Sequence, residues 1–386
     1  MTFPVPGGST FLRARNNLTD LADPSVAWQT LAGGHSAHAQ RWQAGLGGRH
    51  YASAVVAVVG DSFTSGNLAG LTWAQTWPVM LQDAMNTRYP SNGLATHGRG
   101  MLAPVLIGEV TPGYVTVTGT PGEVQGYGYN NNAYDISAGA GCTLTYDLVG
   151  DFFIIVWRGT PGGGSFTYKI NSGSPVTVST AWGSVADGQT TFVGTGFTPG
   201  TAYTLTIEYA SGTPVLVDAV LEFNGDLGAG IQVYNSGASG TETSDWTGQS
   251  WAPLAASTPQ LVIIELGGDD WESGVTPAAF QANLTTIISD IAAACAVTAP
   301  PPDFLLVTAV GQTPAEPYPW QDFVNVMYAV AAASDSNVDV LDLTLRMPAN
   351  LGDDPSASLY DPSTGELTTT GHSLVADIVL AYLGPQ

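Results

Sequence analysis

Lysine is almost missing from this chain, occurring once, at Lys169. Basic residues of any kind are few, nine against 32 acidic ones, and the formal net charge is −23. A field of that sign repels phosphate backbones and anionic bilayer surfaces. Nucleic acid is thereby excluded as a partner, and neutral glycans suit the balance better. Cysteine is nearly as scarce. Cys142 and Cys295 lie far apart in apolar contexts, which predicts two buried free thiols and no metal-site spacing. No hydrophobic run reaches the length of a membrane span, so no membrane insertion is expected. The opening MTFPVPGGST has neither a basic nor an apolar leader region, so no secretory signal is expected.

What is present describes a densely packed chain. Of 386 residues, 44% are hydrophobic and 11% charged, enough for two or three domains with a sizeable core. The 47 glycines and 25 prolines imply many turns. From about residue 103 to about 227, short alternating runs such as YVTVTG, CTLTYDLVG, SFTYKINSG and YTLTIEYASG recur between glycines and prolines. Turn signals at that spacing predict an antiparallel β-sandwich. On either side, in 36–102 and 228–386, buried strand patterns (LVIIELGG, PDFLLVTAVG, VDVLDLT) alternate with helical ones (PAAFQANLTTIISDIAAACAV, VNVMYAVAAASD, GHSLVADIVLAYLG). That alternation predicts a three-layer α/β unit with a parallel sheet, interrupted by the sandwich as an inserted domain.

The stretch VVAVVGDSFTSG, residues 55–66, organises the α/β unit. Val55-Val56-Ala57-Val58-Val59 reads as a strand buried on both faces. Gly60 then allows a sharp turn, and Ser62 falls at the carboxyl end of the strand, where open α/β sheets place their ligands. Ser62 is therefore a candidate nucleophile. Two further loops lie at strand ends, NSGASGT at 235–241 and LGGDDW at 266–271.

The order and spacing of these three loops resemble the SGNH (GDSL-type) hydrolases, a family of esterases and deacetylases with a flavodoxin-like sheet. The resemblance covers about 50–100 and 228–386. It implies Ser62 as nucleophile and the Gly240 backbone N–H as an oxyanion donor. The third block of the family carries Gly-Gly-Asn-Asp, whereas this chain has Gly267-Gly268-Asp269-Asp270, with Asp269 in place of the donor asparagine. An ionised carboxylate can only accept hydrogen bonds and repels an oxyanion. In the last block, aligned on Leu367-Thr368-Thr369-Thr370-Gly371-His372, Glu366 stands where the family has its general-base histidine. Ser363 stands where the orienting aspartate belongs, and His372 matches a second histidine that is not the base. A shifted register offers His372 as base, with Asp361 as a distant helper. A hard-cation site among the acidic residues is unsupported, since no histidine cluster accompanies them. No cofactor and no metal are expected.

Near the N-terminus, NNLTDLADPSVAWQTLAG resembles a short element of bacteriophage tail-fibre and minor tail proteins, where it serves attachment or trimerisation. That resemblance makes residues 1–35 a tail-attachment element. It implies a virion location, a homotrimer, and contacts with other tail proteins and with host-envelope glycan. The expectation is then a minor tail protein whose degenerate SGNH domain binds receptor. Sandwich aromatics (Trp157, Tyr168, Trp182, Tyr203, Tyr209) supply candidate stacking faces for sugars. The alternative is an active esterase or deacetylase removing O-acyl groups from envelope polysaccharide, with Ser62 served by Glu366 or His372.

Overall fold

The computed structural model describes residues 39–66, 70–91, 97–104, 113–297, 299–309, 317–334, 337–348 and 358–384. The expected attachment element, 1–35, lies outside the described residues.

The organising strand is Ala54–Gly60, buried at every position. It pairs in parallel with Ile231–Gly237 on one side and Leu261–Glu265 on the other. Asp303–Val307 and Val338–Leu341 complete a five-stranded sheet, all parallel. Numbered along the chain, these strands run 2-1-3-4-5 across the sheet, an order whose switch point lies beside the first strand. Alternate side chains of the first strand explain its apolar run. Val56 and Val58 pack with Trp42, Trp77, Leu81, Val375 and Val379 on one face, under helices Gln40–Gly48, Trp77–Arg88 and Thr369–Leu383. Ala57 and Val59 pack with Trp246, Phe280, Leu284 and Phe323 on the other, under helices Pro277–Cys295 and Trp320–Ala333. The result is the expected three-layer α/β unit. Cys142 and Cys295 are free and buried.

The insert consists of two antiparallel sheets. One runs Ala186–Phe192, Phe152–Gly159, Leu216–Phe223, Asn132–Asp135, Gly122–Gln125, with Gly100–Leu102 also on Leu216–Phe223. The other runs Val115–Thr118, Thr143–Val149, Ala202–Ser211, Ser165–Ile170, Val176–Ser179. Their facing side chains, among them Tyr146, Phe153, Trp157, Phe166 and Ile207, form a core of their own. Strand Leu216–Phe223 is buried at all positions because it has two jobs. Val217 and Val220 fill the sandwich, while Ala219, Leu221 and Phe223 join Val55 and Tyr234 of the α/β unit. It carries two buried acids: Glu222 pairs with Arg99, and Asp218 Oδ1 accepts from the Tyr129 N–H at 3.1 Å while its Oδ2 is buried without a partner. The Tyr129 ring meets Tyr234 edge-on at 5.9 Å, and the Asn131 amide donates to the Asp245 carbonyl at 3.1 Å. The insert thus reaches the strand-end loops of the α/β unit.

Candidate active site

Ser62 opens a single helical turn, Ser62–Ser65, directly after the first strand. The turn is tight because nothing projects from its neighbours. A Cβ on Gly60 would fall 2.2 Å from Thr64 Oγ1 and 2.8 Å from the Glu265 carbonyl oxygen. A Cβ on Gly237 would fall 2.5 Å from the Ser65 nitrogen. Both positions need glycine for close approach. Asp61 caps the turn, its Oδ1 accepting from the Phe63 N–H at 3.0 Å, and its own N–H donates to the Glu265 carbonyl at 3.2 Å. Thr64 Oγ1 donates to Glu265 Oε2 at 2.8 Å.

Gly240 follows the second strand with φ of +75°, a left-handed conformation that glycine takes without strain. Its backbone N–H faces the Asp269 carboxyl and slightly opposes the rise in that group's pKa. Asp269 sits in the first turn of the short helix Gly268–Glu272, and its Oδ2 is buried without a hydrogen-bond partner. Burial, reinforced by the charges of Glu272, Asp270 and Glu242, pushes its carboxyl up to about 6. Asp270 beside it is committed elsewhere, accepting from the Thr243 N–H at 2.8 Å and the Thr243 hydroxyl at 2.5 Å.

The last block arrives as a small hairpin closed by the Tyr360–Leu367 bridge. Glu366 is partly buried there, and its charge reaches both Asp61 and Glu265, raising the two carboxyls. Ser363 is exposed, and its hydroxyl and N–H both bind Asp361. Those bonds, the hydroxyl's first, hold Asp361 below the ordinary carboxylate range. Asp361 is thereby occupied in its own turn. His372 is 1% exposed on the final helix, and its Nδ1 accepts from the Trp77 N–H at 3.3 Å. Burial holds its imidazole down to about 3, so it is neutral and caps the helix Trp77–Arg88.

The fold therefore gathers Ser62, Gly240, Asp269 and Glu366 at the strand ends, while Ser363 faces outward and His372 is spent on a backbone N–H. Glu265 had no place in the motif reading, yet it is fully buried beside the nucleophile turn. Burial pushes it up to about 8, with Asp269 and Glu366 adding to the rise and hydrogen bonds from Thr64 and Asp61 opposing it. Asp61 lies well above the ordinary value, through burial first and then the Glu265, Asp269 and Glu366 charges. The sequence signal for Glu265 was an acid inside an otherwise apolar strand, LVIIE. Among the described residues, no group of His, Cys, Asp or Glu has metal-holding geometry, and no helix is long and apolar enough to cross a membrane. Of the five sandwich aromatics, Trp157 is buried and Tyr168, Tyr203 and Tyr209 pack partly against the core. Trp182 alone among them is open, at 48% exposure, its ring edge-on to Trp157 at 6.1 Å.

Residues 198–374 match the model of the GDSL-like Lipase/Acylhydrolase family, a span that includes Gly240, Asp269, Ser363, Glu366 and His372 but not Ser62. No curated protein matches the sequence. A solved structure of a peptidoglycan O-acetylesterase superposes with a TM-score of 0.64 at 15% identity, covering 89% of this chain and 94% of that one. A family two carbohydrate esterase from Cellvibrio japonicus aligns at TM-score 0.30 and 12% identity, over 68% of this chain and 92% of that one. The lipase/acylhydrolase from Enterococcus faecalis aligns at TM-score 0.32 and 23% identity, over 39% of this chain and 74% of that one. The first likeness extends across both the α/β unit and the insert and shows a shared fold. The chain has an SGNH-like α/β fold with an inserted antiparallel β domain.

Proposed function

We propose that the chain is a serine esterase that removes O-acyl groups from glycan, working in acidic solution. The observation that carries this reading is the meeting of Ser62, the Gly240 turn, Asp269 and Glu366 at the switch point of the sheet. Ser62 Oγ attacks the ester carbonyl carbon as its proton passes to the Glu366 carboxylate. The carbonyl oxygen becomes an oxyanion, and neutral Asp269 donates its O–H there, standing in for the amide of related enzymes. Collapse returns the proton from Glu366 to the departing sugar oxygen and leaves an acyl-serine. Water then repeats the sequence and frees the carboxylic acid. A protonated carboxyl serving as oxyanion donor has precedent where the site keeps the acid neutral. The substrate class is supported by the fold shared with a peptidoglycan O-acetylesterase and by a charge of −23, which disfavours anionic polymers.

A second reading, a glycan-binding module without turnover, is favoured by one contact. The Asp269 carboxyl faces the Gly240 N–H, a donor that an oxyanion would need. In either reading, adsorption of a phage tail to host-envelope glycan, through a trimer joined to other tail proteins, is our proposal for the biological setting. Its support is the N-terminal resemblance alone. The test is a short-chain nitrophenyl ester and a fluorophosphonate probe, applied near pH 5 to the protein and to Ser62→Ala. Turnover and labelling that vanish in Ser62→Ala are expected. Their absence from the unaltered protein across the acidic range selects the binding reading.

A further inference from the structure

Three acids close to Ser62 have direct places in the chemistry or the cap. The fourth, Glu265, has none, and it is the most deeply buried. Its strand companions Val262, Ile263 and Ile264 are apolar and buried, as a central strand of a parallel sheet requires. A carboxyl at zero exposure costs free energy that a leucine there would not. Its contacts give the compensation. Oε2 accepts from Thr64 Oγ1 at 2.8 Å, and its backbone carbonyl accepts from the Asp61 N–H at 3.2 Å. Its side chain also lies beside the Asp61 carboxyl. Asp61 Oδ2 and Glu265 Oε1 are otherwise buried without donors. One proton held between the two acids satisfies both atoms, and two bare carboxylates in that space would repel each other.

We infer that Glu265 is a positioning residue for Ser62, its carboxyl sharing one proton with Asp61 and accepting from Thr64, so that both flanks of the nucleophile turn are clamped by one side chain. This rests on the reading of Ser62 as nucleophile. Asp61 lies immediately before Ser62 and Thr64 two residues after it, and both are buried. Ser62 Oγ can keep its aim only while the turn between them is held, and misplacement by about 1 Å can cost on the order of a hundredfold in rate. The charged groups that face Glu265 are Asp61 from the turn, Asp269 from the short helix and Glu366 from the hairpin, all acidic. Asp269 and Glu366 favour retention of the proton that Glu265 shares with Asp61. The proton leaves only in alkaline solution, since burial pushes Glu265 up to about 8.

The experiment compares fluorophosphonate labelling of Ser62 in the full chain, Glu265→Gln and Glu265→Leu, from acidic to alkaline pH, with folding followed by circular dichroism. Glutamine keeps the Thr64 bond and can donate to Asp61 but cannot ionise. The ratio of its rate to that of the unaltered protein should stay flat in acid and rise about tenfold one unit above the Glu265 midpoint. Leucine should lower the rate about tenfold to a hundredfold in acidic solution, and the deficit should narrow above the Glu265 midpoint, where the unaltered protein loses the clamp as well. A flat Glu265→Gln ratio through the alkaline range, or a folded Glu265→Leu that labels at the full rate, overturns the proposal. If the unaltered protein is not labelled at all, the esterase reading falls, and the clamp is read instead from carboxyl 13C shifts. One proton should then remain on the Asp61–Glu265 pair through neutrality, with both resonances moving together. Independent titration of the two at ordinary carboxylate values overturns it.

Discussion

Replacing Asp269 by asparagine tests the proposed chemistry most directly, because the expected effect depends on pH in a way that isolates one group. Asparagine keeps a carbonyl oxygen to accept from the Gly240 N–H and adds an amide that donates to an oxyanion at any pH. Aspartate donates only while protonated, and its carboxyl is pushed up to about 6, by burial first and then by Glu272, Asp270 and Glu242. Near pH 5 about nine-tenths of it carries the proton, and near pH 8 only about one per cent does. As pH rises through the Asp269 midpoint, the unaltered protein loses the proposed donor while the variant does not. The ratio of kcat/KM, variant over unaltered, should therefore be about one near pH 5 and approach about a hundred near pH 8. A hundredfold is about 2.7 kcal/mol of transition-state stabilisation, within the range for one oxyanion donor. A nitrophenyl acetate assay across the range measures the ratio. A ratio independent of pH refutes the role of Asp269 as donor. A folded Asp269→Asn protein without turnover at any pH refutes the hydrolase reading itself. Glu272→Gln supplies an internal check: removing a charge that holds the Asp269 carboxyl up should move the midpoint of the ratio toward acid.

The remaining predictions concern the last block. His372→Leu keeps the bulk but leaves the Trp77 N–H without its acceptor, which should cost about 1–3 kcal/mol in denaturant unfolding. Labelling of Ser62 per folded molecule should be unchanged, and its loss would make His372 the base. The folded state holds this imidazole neutral down to about 3, against an ordinary value of 6.5. The unfolded chain therefore takes up a proton first, and the stability tied to neutral His372 is lost as pH falls below that ordinary value. His372→Leu should lack that part of the acid destabilisation, as thermal melts at stepped pH would reveal. Rebuilding the related enzymes' set with Ser363→Asp and Glu366→His in the Asp269→Asn background should move turnover from acidic to neutral solution. A folded triple variant no faster at neutrality than Asp269→Asn alone would show that residue 366 does not act as base.

The frame of this molecule was legible because its signals are local. A run of valines on either side of Ala57 needs burial on both faces, and the periodic stretch 277–295 needs one buried stripe. Strands Gly122–Gln125 and Asn132–Asp135 were not legible, since EVQGYGYNNNAYD carries glycine and amide residues where alternating branched side chains are expected. Asn132–Asp135 is placed by pairing with Leu216–Phe223, far along the chain, and Gly122–Gln125 by pairing with Asn132–Asp135 in turn. The candidate site divides in the same way. Ser62, Gly240 and Asp269 stand in motifs, whereas Glu265 acquires its meaning from Thr64, about two hundred positions away in sequence. The commitment of His372 is equally non-local, because its partner is the first N–H of another helix. No spacing rule carries that information.

Two substitutions that look like losses in separate motifs become related once the movement of charge is followed. With histidine as base, attack creates a cation and an oxyanion, and an orienting aspartate beside the cation stabilises the separation. With Glu366 as base, the negative charge on the carboxylate is neutralised as the oxyanion forms, so one charge moves and none is created. Such a transfer makes no use of an aspartate behind the base, which accords with Ser363 facing solvent and bonding only within its own turn. It does require that the receiving end be free of negative charge, and the receiving end holds Asp269. The other acids nearby, Asp61 and Glu265, are raised by the same field and together retain a proton. Glutamate at 366 and aspartate at 269 are thus compatible only in solution acidic enough to keep Asp269 neutral and not so acidic that Glu366 is protonated. Added salt should narrow that window from its neutral side, because screening weakens the push that exposed Glu272 exerts on the Asp269 carboxyl.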